Sequence, residues 1–190
     1  MRITTGKYKG RRIEESERIR PTQEKVRKAI FDILGDIEGL SFLELFAGSG
    51  AVGLEAASRG AQEVVFVENN PNILKTLASN TAYIIDTKYC LLSQDVESAI
   101  RRLGREKKQF EVIFLDPPYY QDLIKKTLQT LGAYDILSPN GLVVAQHFKK
   151  EDLPAQLGVL SLFRQYKYGS TLLSFFEKKH VPSGNLSRDI

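Results

Sequence analysis

The chain has 190 residues, 42% of them hydrophobic, a net charge of +4 and a single cysteine. That length can bury a core without disulfides or metal, and Cys90 with only His147 and His180 beside it excludes an internal bridge and a cluster at metal-ligand spacing. No signal-peptide stretch opens the chain and no apolar run nears the ~20 residues that span a bilayer, so a cytoplasmic, monomeric, metal-free enzyme with no membrane partner is expected.

The charge is unevenly placed. Residues 1–28 hold ten Lys/Arg against four Glu, a local +6, so the remainder sums to −2. A basic arm on a near-neutral body suits a polyanion contact, although a solvated charged surface has the same composition. Strand-like runs at 2–5 and 11–14 flank Gly6 and Gly10, as in a hairpin that carries Lys7, Lys9, Arg11 and Arg12, the candidate RNA-binding residues. A helix is predicted to begin near Pro21 and Thr22, with Val26, Ala29, Ile30, Ile33 and Leu34 on one apolar face. The organisation read from this pattern is an N-terminal extension over 1–38, an α/β body over 39–178 and a flexible tail over 179–190.

From residue 41 onward short apolar runs at 41–46, 63–68, 89–92, 110–115 and 141–147 alternate with helix-like stretches near 51–59, 71–82, 96–106 and 121–133. This is the pattern of a parallel sheet. Two further strand-like runs, 159–167 and 170–177, meet at Gly169 as an antiparallel hairpin. The fold class is therefore α/β, a mostly parallel seven-stranded sheet with helices on both faces and a small N-terminal β-hairpin and helix extension.

The segment Phe42-Leu43-Glu44-Leu45-Phe46-Ala47-Gly48-Ser49-Gly50-Ala51-Val52-Gly53 runs from a buried strand through a glycine turn into a helix. Glycines let backbone approach a ligand, and the helix start presents free N–H groups. Glu68, closing the next strand, can accept hydrogen bonds from ribose hydroxyls. Glycine spacing with an acid twenty residues on also satisfies the NAD fingerprint, so the motif admits two cofactors. Glu44 favours S-adenosylmethionine, because a carboxylate at the strand mouth suits an ammonium and repels a pyrophosphate. Asp95, in Ser93-Gln94-Asp95-Val96, can accept from an adenine amino group or cap the helix starting at Val96.

The strand at 110–115 ends in Asp116-Pro117-Pro118-Tyr119. An exocyclic amine of a base is a weak nucleophile, its lone pair being delocalised into the ring. Hydrogen bonds from its N–H groups to Asp116 and to a carbonyl of the proline pair would hold it in an attacking geometry, with that carbonyl fixed by the two rigid φ angles. Tyr119 offers a face on which an extruded base can stack. A strand stop capped by an Asp is the plainer reading of the same four residues.

These motifs resemble those of class I methyltransferases that modify amines, which have a Rossmann-like fold. The chain is similar to the RsmD-type enzymes, which methylate N2 of a guanine in 16S ribosomal RNA. The likeness is carried by Arg2-Ile3-Thr4-Thr5-Gly6 through Lys9-Gly10-Arg11-Arg12, by Arg20-Pro21-Thr22 through Arg27 and Phe31, and by Leu45 to Gly50 with Gly53-Leu54-Glu55-Ala56. It implies S-adenosylmethionine as cofactor, 16S ribosomal RNA or a small-subunit assembly particle as partner, and a segment around Arg20 and Thr22 over the methionine end. The expected cofactor contacts are then Arg20, Thr22, Glu44, Phe46, Ala47, Gly48, Ser49, Gly50, Glu68, Asn69, Asp95, Val96 and Asp116. Asp116, Pro117, Pro118 and Tyr119 form the expected catalytic set. N6 of adenine in DNA or RNA is the alternative target; an NAD-dependent oxidoreductase and a non-catalytic RNA-binding module are the readings from other classes. The family usually has paired glycines where Thr5-Gly6 stands, and a Glu where Gln146-His147 stands.

Overall fold

Apolar runs too continuous for a one-sided sheet require cover on both faces, and the computed structural model, which describes residues 1–15, 24–118 and 122–179, supplies it. After α1 (Glu24–Leu34) the chain alternates β1 (Ser41–Leu45), α2 (Ala51–Ser58), β2 (Glu63–Glu68), α3 (Pro71–Thr81), β3 (Lys88–Ser93), α4 (Val96–Arg105), β4 (Phe110–Leu115), α5 (Leu123–Ala133) and β5 (Leu137–Phe148). β6 (Gln156–Leu157), β7 (Leu160–Tyr168) and β8 (Thr171–Lys178) complete it. The strand order is β3-β2-β1-β4-β5-β8-β7-β6, parallel from β3 to β5 and antiparallel beyond.

The alternating direction of strand side chains divides the core into two layers. Phe42, Val64, Phe66, Val112 and Phe114 face α1, α2 and α3. Leu43, Val65, Val67, Ile113 and Leu115 face α4 and α5. α4 shows how the sequence selects its buried face: Val96, Ala99, Ile100 and Leu103 fall at helical spacing and are buried. Asp95 caps its start by accepting from Ser98 N at 2.9 Å, a contact worth about 0.5–2 kcal/mol.

Three details depart from the sequence reading. The sheet has an eighth strand, the two-residue β6. β5 starts at Leu137, four residues before the predicted run, because Ser138-Pro139-Asn140-Gly141 has turn composition yet is carried through an irregularity between Phe110 and Val112 of β4. The N-terminal hairpin keeps one bridge, Arg2 to Arg12. Ile3 N donates to Arg11 O and Gly10 N to Ile3 O within it, whereas Thr4 N and Thr5 N donate to Glu55 at 2.8 and 3.0 Å. Ile3, Tyr8 and Ile13 share the core layer of Phe42 and Phe66, so this segment packs as part of the body. Of the flexible tail expected over 179–190, residues 180–190 lie outside the described residues.

Candidate active site

The strand order reverses between β1 and β4, and there the carboxyl ends of adjacent strands feed connections to opposite faces of the sheet. A crevice forms at such a switch point. It holds a cavity of about 440 Å³ that includes Phe46, Glu68, Asn69, Asp95, Val96 and Pro118 among its walls. All six are among the expected site residues.

The β1–α2 loop is held tightly. Phe46 has φ 58°, a left-handed conformation costly for a bulky residue, and Gly48 and Gly50 follow at 56° and 75°. A Cβ on Gly50 would come 2.4 Å from Leu77 Cδ1, so the glycine is needed for space as well as for φ. Ala47 N donates to Val67 O at 2.9 Å, and Asn80 Nδ2 donates to Ser49 O at 2.9 Å. The loop therefore cannot drift from β2.

Glu68 closes β2 with its carboxylate in the crevice. Gly48 N donates to Oε2 at 3.1 Å, and Asn69 N and Asn70 N donate to Oε1 at 2.9 Å each. A carboxylate offers about four acceptor positions, so these bonds leave room for a hydroxyl donor while fixing the group's orientation. Asp95 both caps α4 and lines the cavity, so the two roles read for it coexist. The Ser98 contacts hold its carboxyl below the usual carboxylate value. Next to it Gln94 Nε2 is buried without a hydrogen-bond partner among the described residues.

Among the described expected contacts, Ala47, Gly48, Ser49, Gly50, Asp116 and Glu44 do not line the cavity, and Glu44 has a structural task of its own. Strand alternation sets it in register with Phe66 and Phe114, on the α2 side, and it does not line the cavity. It accepts from Gly53 N at 2.8 Å and Val52 N at 3.3 Å, anchoring the first turn of α2. Burial pushes its carboxyl up to about 8 against the pull of those two N–H groups. In this structure Glu44 anchors the start of α2, and the neighbouring Asp116 carboxylate adds to the upward push.

Asp116 follows β4, half-buried, with Pro117 buried behind it and Pro118 at the cavity. Gln146 Nε2 donates to Asp116 Oδ2 at 2.8 Å. His147, the other departure from the family pattern, faces away. Its Nδ1 donates to Phe148 O at 3.1 Å and its Nε2 accepts from Ser174 Oγ at 2.7 Å, while burial lowers its pKa. It is a neutral structural histidine. Tyr119, Arg20 and Thr22 lie outside the described residues.

Sequence reasoning missed Val67, Gln94, Glu97, Leu123, Lys126 and Thr127 of the cavity wall, and it left Gln146 without a role. Gln94 follows β3 at the crevice, a position the alternation of elements does reveal, whereas Gln146 lies within β5 beside Asp116. The start of α5 could be found only once it was seen to fold over the pocket.

The four basic hairpin residues are not at the crevice. Lys7 pairs with Asp86, and the Arg11 guanidinium lies 4.8 Å from the centre of the Tyr83 ring. Lys7 N and Tyr8 N donate to Ser58 O and Oγ at 2.7 and 2.8 Å. Ser58 and Tyr83 lie at or just beyond the C-terminal ends of α2 and α3, whereas the crevice is at their N-terminal ends. An eight-residue helix, about 12 Å, separates the two.

The residues present fit an adenosyl group. Glu68 would accept from a ribose, Asp95 from an adenine amino group, Gln94 Nε2 would supply a donor, and Phe46, Val67 and Leu123 would give apolar walls. Fold and crevice together define a class I methyltransferase, the class that draws its methyl group from S-adenosylmethionine.

Within that class the chain belongs to the family described as conserved hypothetical protein 95, whose model matches residues 1–177, the family of the RsmD-type methyltransferases. The Bacillus subtilis protein YlbH is 34% identical over 183 residues, covering 94% of this chain and all of its own. The ribosomal RNA small subunit methyltransferase D of Haemophilus influenzae is 32% identical over 161 residues, covering 80% of this chain and 81% of its own. Among solved structures, a hypothetical protein of Thermus thermophilus, TTHA0928, is 34% identical with a TM-score of 0.82, covering 93% of this chain and 99% of its own.

Proposed function

We propose that this chain transfers a methyl group from S-adenosylmethionine to the exocyclic N2 of a guanine in 16S ribosomal RNA, free or within a small-subunit assembly particle, in the cytoplasm. The observation that carries the reading is Asp116, set at the carboxyl end of β4 beside an adenosyl-sized cavity, backed by Pro117 and Pro118 and oriented by Gln146. The name of the Haemophilus influenzae relative supports ribosomal RNA as the substrate.

Each group then has a task. Bound in the crevice, S-adenosylmethionine supplies an electrophilic methyl on sulfur. Glu68, Asp95 and Gln94 hold its adenosine half. Asp116 and a proline carbonyl accept the two amine N–H bonds, which turns the nitrogen lone pair out of conjugation, and the Asp116 carboxylate takes the proton released as nitrogen gains the methyl. Tyr119 stacks on the extruded base. The same adenosine contacts would serve NAD, but the Asp-Pro-Pro segment has no task in hydride transfer.

The test is mass spectrometry of nucleosides from ribosomal RNA incubated with and without the enzyme and labelled donor. N2-methylguanosine is expected. N6-methyladenosine would move the target to the alternative base, and no labelled nucleoside would remove the activity.

A further inference from the structure

β4 and β5 pair in register as far as Leu115 and Ala145, so the next residue of each strand, Asp116 and Gln146, meet side by side at the crevice end. Gln146 is 5% exposed. Its Nε2 donates to Asp116 Oδ2 at 2.8 Å. A carboxylate only accepts, so this bond fixes which end of the amide is nitrogen and which is oxygen. The carbonyl Oε1 then lies about 2.2 Å from Nε2, given amide bonds of ~1.23 and ~1.33 Å. It is buried and has no hydrogen-bond partner among the described residues. A buried acceptor without a donor is unfavourable and calls for one. Asp116 and Gln146 Oε1 thus set two acceptors next to each other where β4 and β5 cease to pair.

Three bases carry an exocyclic amine. In adenine and cytosine the ring nitrogen beside the amine on the pairing edge is a bare acceptor; in guanine it bears a hydrogen. Only guanine therefore presents an amine N–H and a ring N–H side by side. Adenine would set the N1 lone pair against the Gln146 carbonyl, leaving two acceptors facing each other.

We infer that Gln146 is the residue that selects guanine, its Nε2 orienting Asp116 and its Oε1 accepting the N1–H of the base. This inference rests on the amine-methylating role proposed above for the Asp116 crevice. It needs no change in that role, because Gln146 acts on which base is accepted and on how Asp116 is aimed.

The discriminating substrate is 2-aminopurine, which keeps the C2 amine and lacks the N1 hydrogen. The modified guanine is located by mapping the labelled RNA, and RNA with 2-aminopurine ligated in at that position is compared with the guanine form. The wild-type enzyme is expected to prefer guanine in kcat/KM by at least the order of 10²-fold, as a site with a buried acceptor rejects an analogue lacking the donor. Gln146→Leu, which removes both polar ends, should reduce the preference to a few-fold and lower kcat on guanine, with S-adenosylmethionine affinity unchanged. Gln146→Glu keeps an acceptor but loses the donor to Asp116, so it should retain the preference while turning over more slowly.

Equal wild-type rates on the two RNAs would overturn the inference, as would a Gln146→Leu enzyme that keeps the full preference. Should that variant fail to fold, the wild-type ratio and the Gln146→Glu ratio decide, since loss of preference in the latter contradicts an acceptor role. Absence of N2-methylguanosine with the wild-type enzyme is a separate result, which removes the proposed function itself.

Discussion

Arg27 Nε and Glu55 Oε2 lie 3.6 Å apart with both side chains fully buried, one from α1 and the other from α2. Glu55 also accepts from Thr4 N, Thr4 Oγ1, Thr5 N and Arg59 Nε. Arg27 in turn donates to the Arg2 carbonyl, and burial lowers its pKa. One carboxylate thus ties the N-terminal segment and α1 to the body. Glu55→Gln should cost about 3–5 kcal/mol, because a buried guanidinium loses its counter-charge and an amide N–H2 is set against donors. The midpoint of urea unfolding at unchanged slope measures this. Adding Arg27→Met should recover much of the loss; a single variant as stable as the parent would show the pair to be dispensable.

Asp116→Ala should lower the methylation rate on the order of 10² or more, as for other preorganised polar groups, while leaving S-adenosylmethionine affinity near normal. The reason is positional: the polar groups proposed for the adenosine, Glu68, Gln94 and Asp95, line the cavity at the ends of β2 and β3, and Asp116 does not line it. Single-turnover rates with calorimetric binding of the donor separate the two effects. Near-normal turnover would take Asp116 out of the mechanism.

Glu68→Ala should show the reverse, weakening donor binding by roughly 1.5–3 kcal/mol for a lost charge-assisted hydrogen bond. Part of that loss would come through the loop, since Gly48 N, Asn69 N and Asn70 N lose their acceptor together. An unchanged dissociation constant would place the ribose elsewhere.

Stability should fall as pH rises, and Glu44 is the cause. Its carboxyl is pushed up to about 8 in the folded protein from an ordinary value of 4.5. Such a group contributes in full below pH 4.5, and its contribution is lost as pH rises through 8. At about 1.36 kcal/mol per pKa unit the change amounts to a few kcal/mol. Glu44→Gln, which mimics the neutral acid, should flatten the dependence and be the more stable form at about pH 8.5, above the folded-state value. Parallel urea titrations at about pH 5 and 8.5 check this, and equal slopes for both proteins would contradict it.

Most of the sheet was legible because β2 and β4 are short runs of apolar, largely β-branched and aromatic residues and helices such as α4 carry a single apolar stripe between them. The glycine loop, Glu68, Asp95 and Asp116 were legible for a related reason: a parallel sheet sends the ends of its strands to one crevice. The anchoring of α2 by Glu44 was not legible, because only the register with Phe66 and Phe114 shows that its layer is the one that holds α2. Gln146 was seen as a departure from pattern, yet its meaning depends on a cross-strand neighbour thirty positions away. The hairpin's charges were counted correctly, but composition says nothing about which end of the sheet they occupy.

That placement sharpens the test of RNA binding by the hairpin. Lys7 and Arg11 are engaged with Asp86 and Tyr83, and Lys9 and Arg12 are exposed beside them, all about a helix length from the crevice. If they touch phosphates, they touch RNA flanking the modified base and act on affinity, not on the chemical step. Changing Lys7, Lys9, Arg11 and Arg12 together to Ala should therefore raise KM for RNA with little change in kcat at saturation. It should also flatten the dependence of binding on salt, the logarithmic slope falling by up to about 0.7–0.9 for each phosphate no longer neutralised. The fold should persist, because the hairpin is held by backbone bonds to Ser58 and by buried Ile3 and Ile13. Donor binding should persist as well, since none of the four lines the cavity. Salt titrations of RNA binding for both proteins decide the matter; superimposable slopes would mean that this basic surface is merely solvated and that the RNA is held at the crevice rim.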